Sequence, residues 1–279
     1  MSSRLHGSLI EATARAAGRA AERISDYVDR TGFVRSDWFS DHLEADVFFK
    51  LENRQKTGSF KLRGATNRLM TMTAAERSAG CVTASSGNHG AAVACAMQNL
   101  NTRGVIFVPE QTSAAKVANI RSFGGDVQFF GTDGLDTEQH ARRYAEENGM
   151  RYLSPYNDEE VVAGQGSCGV EMLEQVPDID IVYIAVGGGG LIGGVGAVLK
   201  HQNPDIRVIG CQPKASDVMA QSVAAGQLLD LPSEPTLSDG TAGGIEADSV
   251  TFALNQAVVD EFVTVGEADI ASAMRLYIR

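Results

Sequence analysis

The sequence predicts an α/β protein with mainly parallel sheets and flanking helices, and three observations predict it. From residue 80 onward, short apolar runs alternate with helix-length segments, which is the pattern of successive βα units. The run Ile181-Val182-Tyr183-Ile184-Ala185-Val186 is continuously apolar, as strands buried on both faces of a parallel sheet are. Three expected strands open through a turn rich in Gly or Ser into an expected helix, the place where α/β proteins put ligand-binding and reactive groups.

In chain order, residues 46–51 (Asp-Val-Phe-Phe-Lys-Leu) read as a strand. Leu62, Ala65, Leu69 and Met70 then fall at helical spacing. Residues 81–84 form a short strand ending in Ser85-Ser86-Gly87, and 88–98 a helix. Residues 104–108 are a strand stopped by Pro109, and 113–122 a helix with Ser113 as its N-cap. A strand at 127–130 and a helix at 135–148 follow, with Gly149 ending the helix. Residues 151–153 are a short strand, 159–175 a helix and 181–186 the buried strand. A helix rich in small residues runs from Gly190 to about 201, then strands at 207–211 and 261–265, and a helix at 267–279.

The 279 residues suffice for one large domain or two modest ones. Hydrophobic residues at 43% and charged residues at 21% are ordinary for a water-soluble globular chain. The net charge of -11 argues against nucleic acid and other polyanions as partners. Cys81, Cys95, Cys168 and Cys211 form no C-x-x-C pair and sit among apolar or small residues, as buried free thiols of a reducing compartment do. Residues 1–28 carry charges throughout and lack the apolar stretch of a signal peptide. No run of about 18 apolar residues exists to span a membrane. The expected location is the cytoplasm. No Pro- or Ser-rich linker divides the chain, so two lobes would be closely apposed around a cleft.

Three segments could carry chemistry. Lys61 lies in Thr57-Gly58-Ser59-Phe60-Lys61-Leu62-Arg63-Gly64-Ala65, between a strand and a helix. A lysine picked at random is a solvated one, and here the flanking glycines and the strand-to-helix position argue otherwise. Gly187-Gly188-Gly189-Gly190 follows a buried strand and precedes a helix, where exposed N–H groups and the helix dipole suit a phosphate. Glycines there would equally serve tight strand–helix packing. The run has neither the Lys-Ser/Thr of a P-loop nor an acidic partner for a ribose, since Gln212 is neutral, so a nicotinamide-dependent oxidoreductase is disfavoured. Ser85-Ser86-Gly87-Asn88-His89-Gly90 could hold a carboxylate at a helix start, or act as a plain helix cap. Within it His89 could be a base, but a histidine satisfied within the core is the favoured reading.

Taken together and in order, these motifs resemble the fold-type II pyridoxal-phosphate enzymes, tryptophan synthase β-like in fold, and within them the serine/threonine dehydratase and serine racemase branch. Ala163-Gly164-Gln165-Gly166 and Ser238-Asp239-Gly240-Thr241-Ala242 are lesser matches, and the likeness runs from about residue 30 to the end. The resemblance implies a large cofactor-binding domain from 1–66 and 151–279 and a small domain from 67–150. It implies pyridoxal 5'-phosphate as cofactor and Lys61 as the lysine that holds its aldehyde as a Schiff base and later takes the Cα proton. Phe60 would pack on the pyridine ring and Asn88 would bond its 3-hydroxyl. Gly187, Gly188, Gly189, Gly190 and Leu191 would bind the cofactor, the glycines holding its phosphate. Ser85, Ser86, Gly87, Asn88 and His89 would form the substrate loop, and Ser86 matches the opposite-face acid/base of racemases. The implied partner is a small amino-acid substrate, and the implied assembly a homodimer or homotetramer. The implied reaction is conversion of L-threonine or L-serine to a 2-oxo acid and ammonia. The alternatives are a serine racemase-like enzyme, a dehydratase of the hydroxyectoine-breakdown type, and a truncated, non-catalytic metabolite-binding relative.

Four departures from the family pattern stand out. The chain ends at Arg279 inside an expected helix, before the glycine-flanked Ser, Thr or Cys that bonds the pyridine nitrogen in the family, so an incomplete chain is expected. Gln212 and Val218 stand where metal-activated members carry Glu and Asp, so no divalent metal site is expected. Tyr156 replaces a Phe or Asn expected near the cofactor. Thr31-Gly32 replaces a Thr-Pro turn.

Overall fold

The computed structural model describes residues 2–278, which fall into two units. One comprises Ala20–Pro155 and Glu171–Pro177, and the other Met1–Arg19, Tyr156–Val170 and Asp178–Arg279. Helix α1 (Ser2–Ile24) therefore begins in the second of these and ends in the first.

The first unit holds an antiparallel pair, β1 (Phe33–Arg35) and β2 (Phe48–Lys50), separated by helix α2 (Asp37–Leu43). Helices α3 (Lys61–Thr71) and α4 (Ala74–Ala79) lead into β3 (Cys81–Ala84). Then come α5 (Asn88–Asn99), β4 (Gly104–Val108), α6 (Ala114–Ser122), β5 (Val127–Phe129), α7 (Gly134–Glu147) and β6 (Arg151–Tyr152). The four strands β3 to β6 form one parallel sheet in the order β5-β4-β3-β6. Alternate strand residues point to opposite faces, and both faces are covered. Cys81, Ile106 and Val108 join the core built by α3 and α5, while Val82, Val105 and Phe107 pack on Ala141 and Ala145 of α7. Leu62 and Leu69 of α3 are fully buried in that first core, each contributing about 2 kcal/mol of transfer free energy. This packing explains why residues 20–66 group with 67–155, whereas the expected division joined 1–66 to 151–279. The expected caps are present: the Ser113 hydroxyl accepts from Lys116 N, and Gly149 closes α7 with φ 60°.

In the second unit β7 (Ile181–Ala185), β8 (Arg207–Pro213) and β9 (Glu261–Val265) form a parallel sheet in that order. It also contains most of α8 (Glu159–Gln175), with α9 (Gly190–Gln202), α10 (Val218–Ala225), α11 (Val250–Val258) and α12 (Glu267–Ile278). Small residues let the helices approach closely. A Cβ on Gly193 or Gly196 of α9 would lie 2.8 Å from Leu254 or Val258 of α11, and one on Gly166 of α8 would lie 2.7 Å from Ala17 of α1. The Ala163–Gly166 match is thus a packing motif. Strand β7 corrects an expectation, because Val182 and Ile184 are buried while Ile181, Tyr183 and Ala185 are exposed. Only Val182 and Ile184 line a buried face, and α9 packs against the strand.

Helices α1, α2, α4, α10 and α11 were not expected from the sequence. Arg279, the last position of the expected final helix, lies outside the described residues. Among the described residues no helix is long and apolar enough to cross a membrane. All four cysteines are free, three are buried and Cys211 is half-buried, and burial pushes the Cys81 thiol up to about 12.

Candidate active site

Lys61 is the first residue of α3, and the turn before it is built to be rigid. Gly58 takes φ 76°, a conformation that favours glycine. The Gln55 amide accepts from Asp29 N and donates to Asp29 O, both at 2.9 Å. Two residues past Lys61, the Arg63 guanidinium is fully buried and doubly bidentate. It reaches both carboxylate oxygens of Glu52 at 2.8 Å and those of Glu171 at 2.7 and 2.9 Å. Lys50 adds a second cation, 2.5 Å from Glu171. Two carboxylates and two cations thus neutralise one another beneath the first turn of α3.

The Lys61 amine takes no part in that network. Its Nζ donates to Pro155 O at 3.0 Å and lies 5.3 Å from the centroid of the Phe60 ring, and no carboxylate pairs with it among the described residues. The residue as a whole is half-buried, but its amine is enclosed by protein. Burial without a counter-charge disfavours the ammonium form and brings the pKa down to about 8.

In the same unit, β3 opens through Ser85–Gly87 into α5. A Cβ on Gly90 would fall 2.2 Å from Ser85 O, so the turn needs glycine there. The Ser85 hydroxyl accepts from Gly87 N at 3.2 Å. Ser85 and Ser86 are half-buried, and Gly87 and Asn88 are exposed. The N–H groups of Asn88, His89 and Gly90 open the helix and have no acceptor within it, which suits a carboxylate.

The His89 ring is bonded within the core, as the residue itself reads, and not turned to a substrate as the resemblance implies. Its Nε2 donates to Leu153 O at 3.1 Å, which also accepts from the Thr83 hydroxyl at 2.8 Å. A carbonyl only accepts, so Nε2 carries the proton and Nδ1 can only accept. Burial, then the nearby Lys61 charge, lower the ring's pKa to about 3. A neutral ring facing the core cannot donate to a substrate carboxylate, so only the backbone N–H of His89 remains for that task.

In the other unit, β7 runs into the glycine turn at the start of α9. Gly189 has φ 80°, and a Cβ there would lie 2.5 Å from Asn255 Nδ2. A Cβ on Gly188 would meet the Tyr156 ring at 2.3 Å, and one on Gly187 would lie 3.1 Å from Thr241 O. The Ser238–Ala242 match therefore lies against the turn. Tyr156 is held over it by its hydroxyl, which accepts from Glu246 N at 3.0 Å. Among the described residues, no backbone N–H from Gly187 to Ile192, Leu191 included, has a protein acceptor. A row of unpaired N–H groups at a helix N-terminus fits a phosphate, and an unpaired, easily deprotonated amine fits an aldehyde. The residues present fit the cofactor that the motifs imply.

The structure thus brings Phe60, Lys61 and the 85–90 loop into one unit and Gly187–Gly190 into the other. Gln212 and Val218 are both buried, and no cluster of three or more His, Cys, Asp or Glu able to hold a metal exists among the described residues. Sequence reasoning missed Pro155, whose contribution is a backbone carbonyl with no sequence signal. It also missed Thr251 and Asn255 of α11, which bond the glycine turn. Asp248-Ser249 before an apolar run was the signal for that helix.

Comparison with known proteins agrees with these features. Residues 24–279 match the family model described as "Pyridoxal-phosphate dependent enzyme". The chain is 38% identical over 255 residues to the L-threonine ammonia-lyase of Thermotoga maritima, covering 91% of this chain and 63% of that protein's length. It is 37% identical to a serine racemase of Oryza sativa subsp. indica, covering 92% of this chain and 75% of the relative. The structure of the processed form of threonine deaminase isoform 2 from Solanum lycopersicum superposes with a TM-score of 0.91 at 33% identity, covering 95% of this chain and 72% of that one.

Proposed function

Because this chain belongs to the family of pyridoxal-phosphate dependent enzymes, we propose that it converts a β-hydroxy amino acid, L-threonine or L-serine, to a 2-oxo acid and ammonia. The observation that carries this reading is the Lys61 amine, enclosed, bonded to a carbonyl rather than a carboxylate, its pKa pushed down to about 8. When bound, pyridoxal phosphate supplies an electron sink that stabilises negative charge at the substrate Cα.

The chain's own residues divide the remaining work. Lys61 would hold the cofactor's aldehyde and, as a free amine, would take the Cα proton at Nζ, for which a pKa near the working pH is the useful one. The N–H groups of Gly187, Gly188, Gly189 and Gly190 hold the phosphate. Phe60 packs beside the pyridine ring, and Asn88 offers an amide to its 3-hydroxyl. The N–H groups of the 85–90 loop, with the Ser85 hydroxyl, orient the substrate carboxylate. The β-hydroxyl would depart with one proton, the equivalent of the one taken from Cα, so that a single water leaves. Hydrolysis of the released enamine consumes one water and yields the 2-oxo acid and ammonia.

One observation favours a second reading, serine racemisation. The Ser86 hydroxyl is half-buried and has no hydrogen-bond partner among the described residues, so it is free to exchange a proton at Cα. The relatives named above include both activities. A panel of L-serine, L-threonine and 3-hydroxyaspartate decides, with 2-oxo acid and ammonia measured beside D-serine. Stoichiometric 2-oxo acid and ammonia support the lyase. D-serine without 2-oxo acid would establish the racemase, and Ser86→Ala would then abolish it.

A further inference from the structure

The glycine turn is more ordered than a flexible anion loop requires. Three of its carbonyls are each held by a buried side-chain donor. Gln212 Nε2 donates to Val186 O at 3.1 Å, the Thr251 hydroxyl to Gly188 O at 2.6 Å, and Asn255 Nδ2 to Gly189 O at 3.1 Å. Gln212 is 3% exposed, and Thr251 and Asn255 are fully buried.

Each peptide group is planar and trans, so its C=O and the N–H of the next residue point in opposite directions. The peptides here are all trans. A donor on Val186 O therefore fixes the N–H of Gly187 on the opposite side. By the same geometry Thr251 fixes the N–H of Gly189, and Asn255, together with the Gly193 N–H that also donates to Gly189 O at 2.9 Å, fixes that of Gly190.

The donors are themselves fixed. The Thr251 hydroxyl has one proton, and Gly188 O takes it, so Ser249 Oγ, 2.7 Å away, must donate to Thr251. Both Asn255 amide protons are committed, one to Gly189 O and one to Thr251 O at 2.7 Å. Its Oδ1 is buried with no partner, a cost that a leucine or valine would avoid. Packing alone would favour apolar residues at these positions.

We propose that Thr251 and Asn255 of α11 are positioning residues for anion binding, with Gln212 as a third support, orienting the turn's N–H groups toward a phosphate monoester. This rests on the reading that the Gly187–Gly190 turn holds the cofactor phosphate.

The test is a binding titration, read by visible absorbance. Apo protein is titrated with pyridoxal phosphate and with pyridoxal, the same aldehyde without the phosphate, and the ratio of the two affinities isolates the phosphate contribution. In Thr251→Val, nearly isosteric but without the hydroxyl, that ratio falls about tenfold or more while pyridoxal affinity is unchanged. Thr251→Ser restores the ratio. Should Thr251→Val not fold, Asn255→Ala carries the same expectation. A wild-type ratio in the folded variants would overturn the positioning role alone. Equal affinity of the wild-type protein for both aldehydes would overturn the phosphate assignment beneath it.

Discussion

An amine that loses water without gaining a carboxylate becomes easier to deprotonate. Lys61 is that case: among the described residues its amine donates to the Pro155 carbonyl and pairs with no carboxylate, and burial brings its pKa from 10.5 to about 8. At neutral pH roughly a tenth of the molecules then carry the free base, about three-hundredfold more than for an ordinary lysine. For the apo protein, labelling of Lys61 by an amine-directed reagent rises with a midpoint near pH 8, read by mass spectrometry of the Lys61 peptide. A midpoint near 10.5, where an ordinary lysine titrates, would contradict the desolvated amine. The position of Lys61 was legible because Gly58, Gly64 and the strand before them are local signals. The orientation of His89 was not. The core was the favoured reading, but the ring bonds Leu153, 64 residues away, and nothing in the loop points to that partner.

At the scale of elements, the start of α3 is held by the charge cluster of Lys50, Glu52, Arg63 and Glu171. Breaking a buried network by removing one member leaves the others uncompensated. Arg63→Met destabilises the protein by about 3–5 kcal/mol, measured by denaturant unfolding. The effect has a pH signature. Burial raises the Glu171 pKa, but the hydrogen bonds and charges of Arg63 and then Lys50 outweigh it and lower the net value. A carboxylate with a depressed folded-state pKa contributes stability above its unfolded value, lost as pH falls through the folded one. The gap between wild type and Arg63→Met therefore narrows below the ordinary glutamate value of 4.5. A pH-independent gap would exclude the ion pairs as its source. Glu171 lies 108 residues from Arg63, so the sequence showed the arginine and not its partners. Helix α11 was illegible for a different reason. Its Val, Thr and Phe residues are frequent in strands, and its buried face is set by α9, whose Gly193 and Gly196 make room for Leu254 and Val258.

At the scale of the molecule, the parallel sheets and the alternation of strand and helix were readable from apolar periodicity, which is a local property. The grouping of residues 20–66 with 67–155 was not, because it depends on α3 packing on α5. The same view weighs the six lysines, Lys50, Lys56, Lys61, Lys116, Lys200 and Lys214. Lys50 pairs with Glu171, Lys56 lies 3.8 Å from Asp29, and Lys200 pairs with Asp260. Lys61 has a carbonyl instead, which leaves its amine free to react with an aldehyde. The most direct test is to load the protein with pyridoxal phosphate, reduce it with borohydride, digest it and locate the pyridoxyl group. The label is expected on Lys61, in the peptide that contains Phe60, and absent from Lys61→Ala. A label on any other lysine, or a wild-type protein that takes up none, would contradict the assignment of Lys61 as the cofactor lysine.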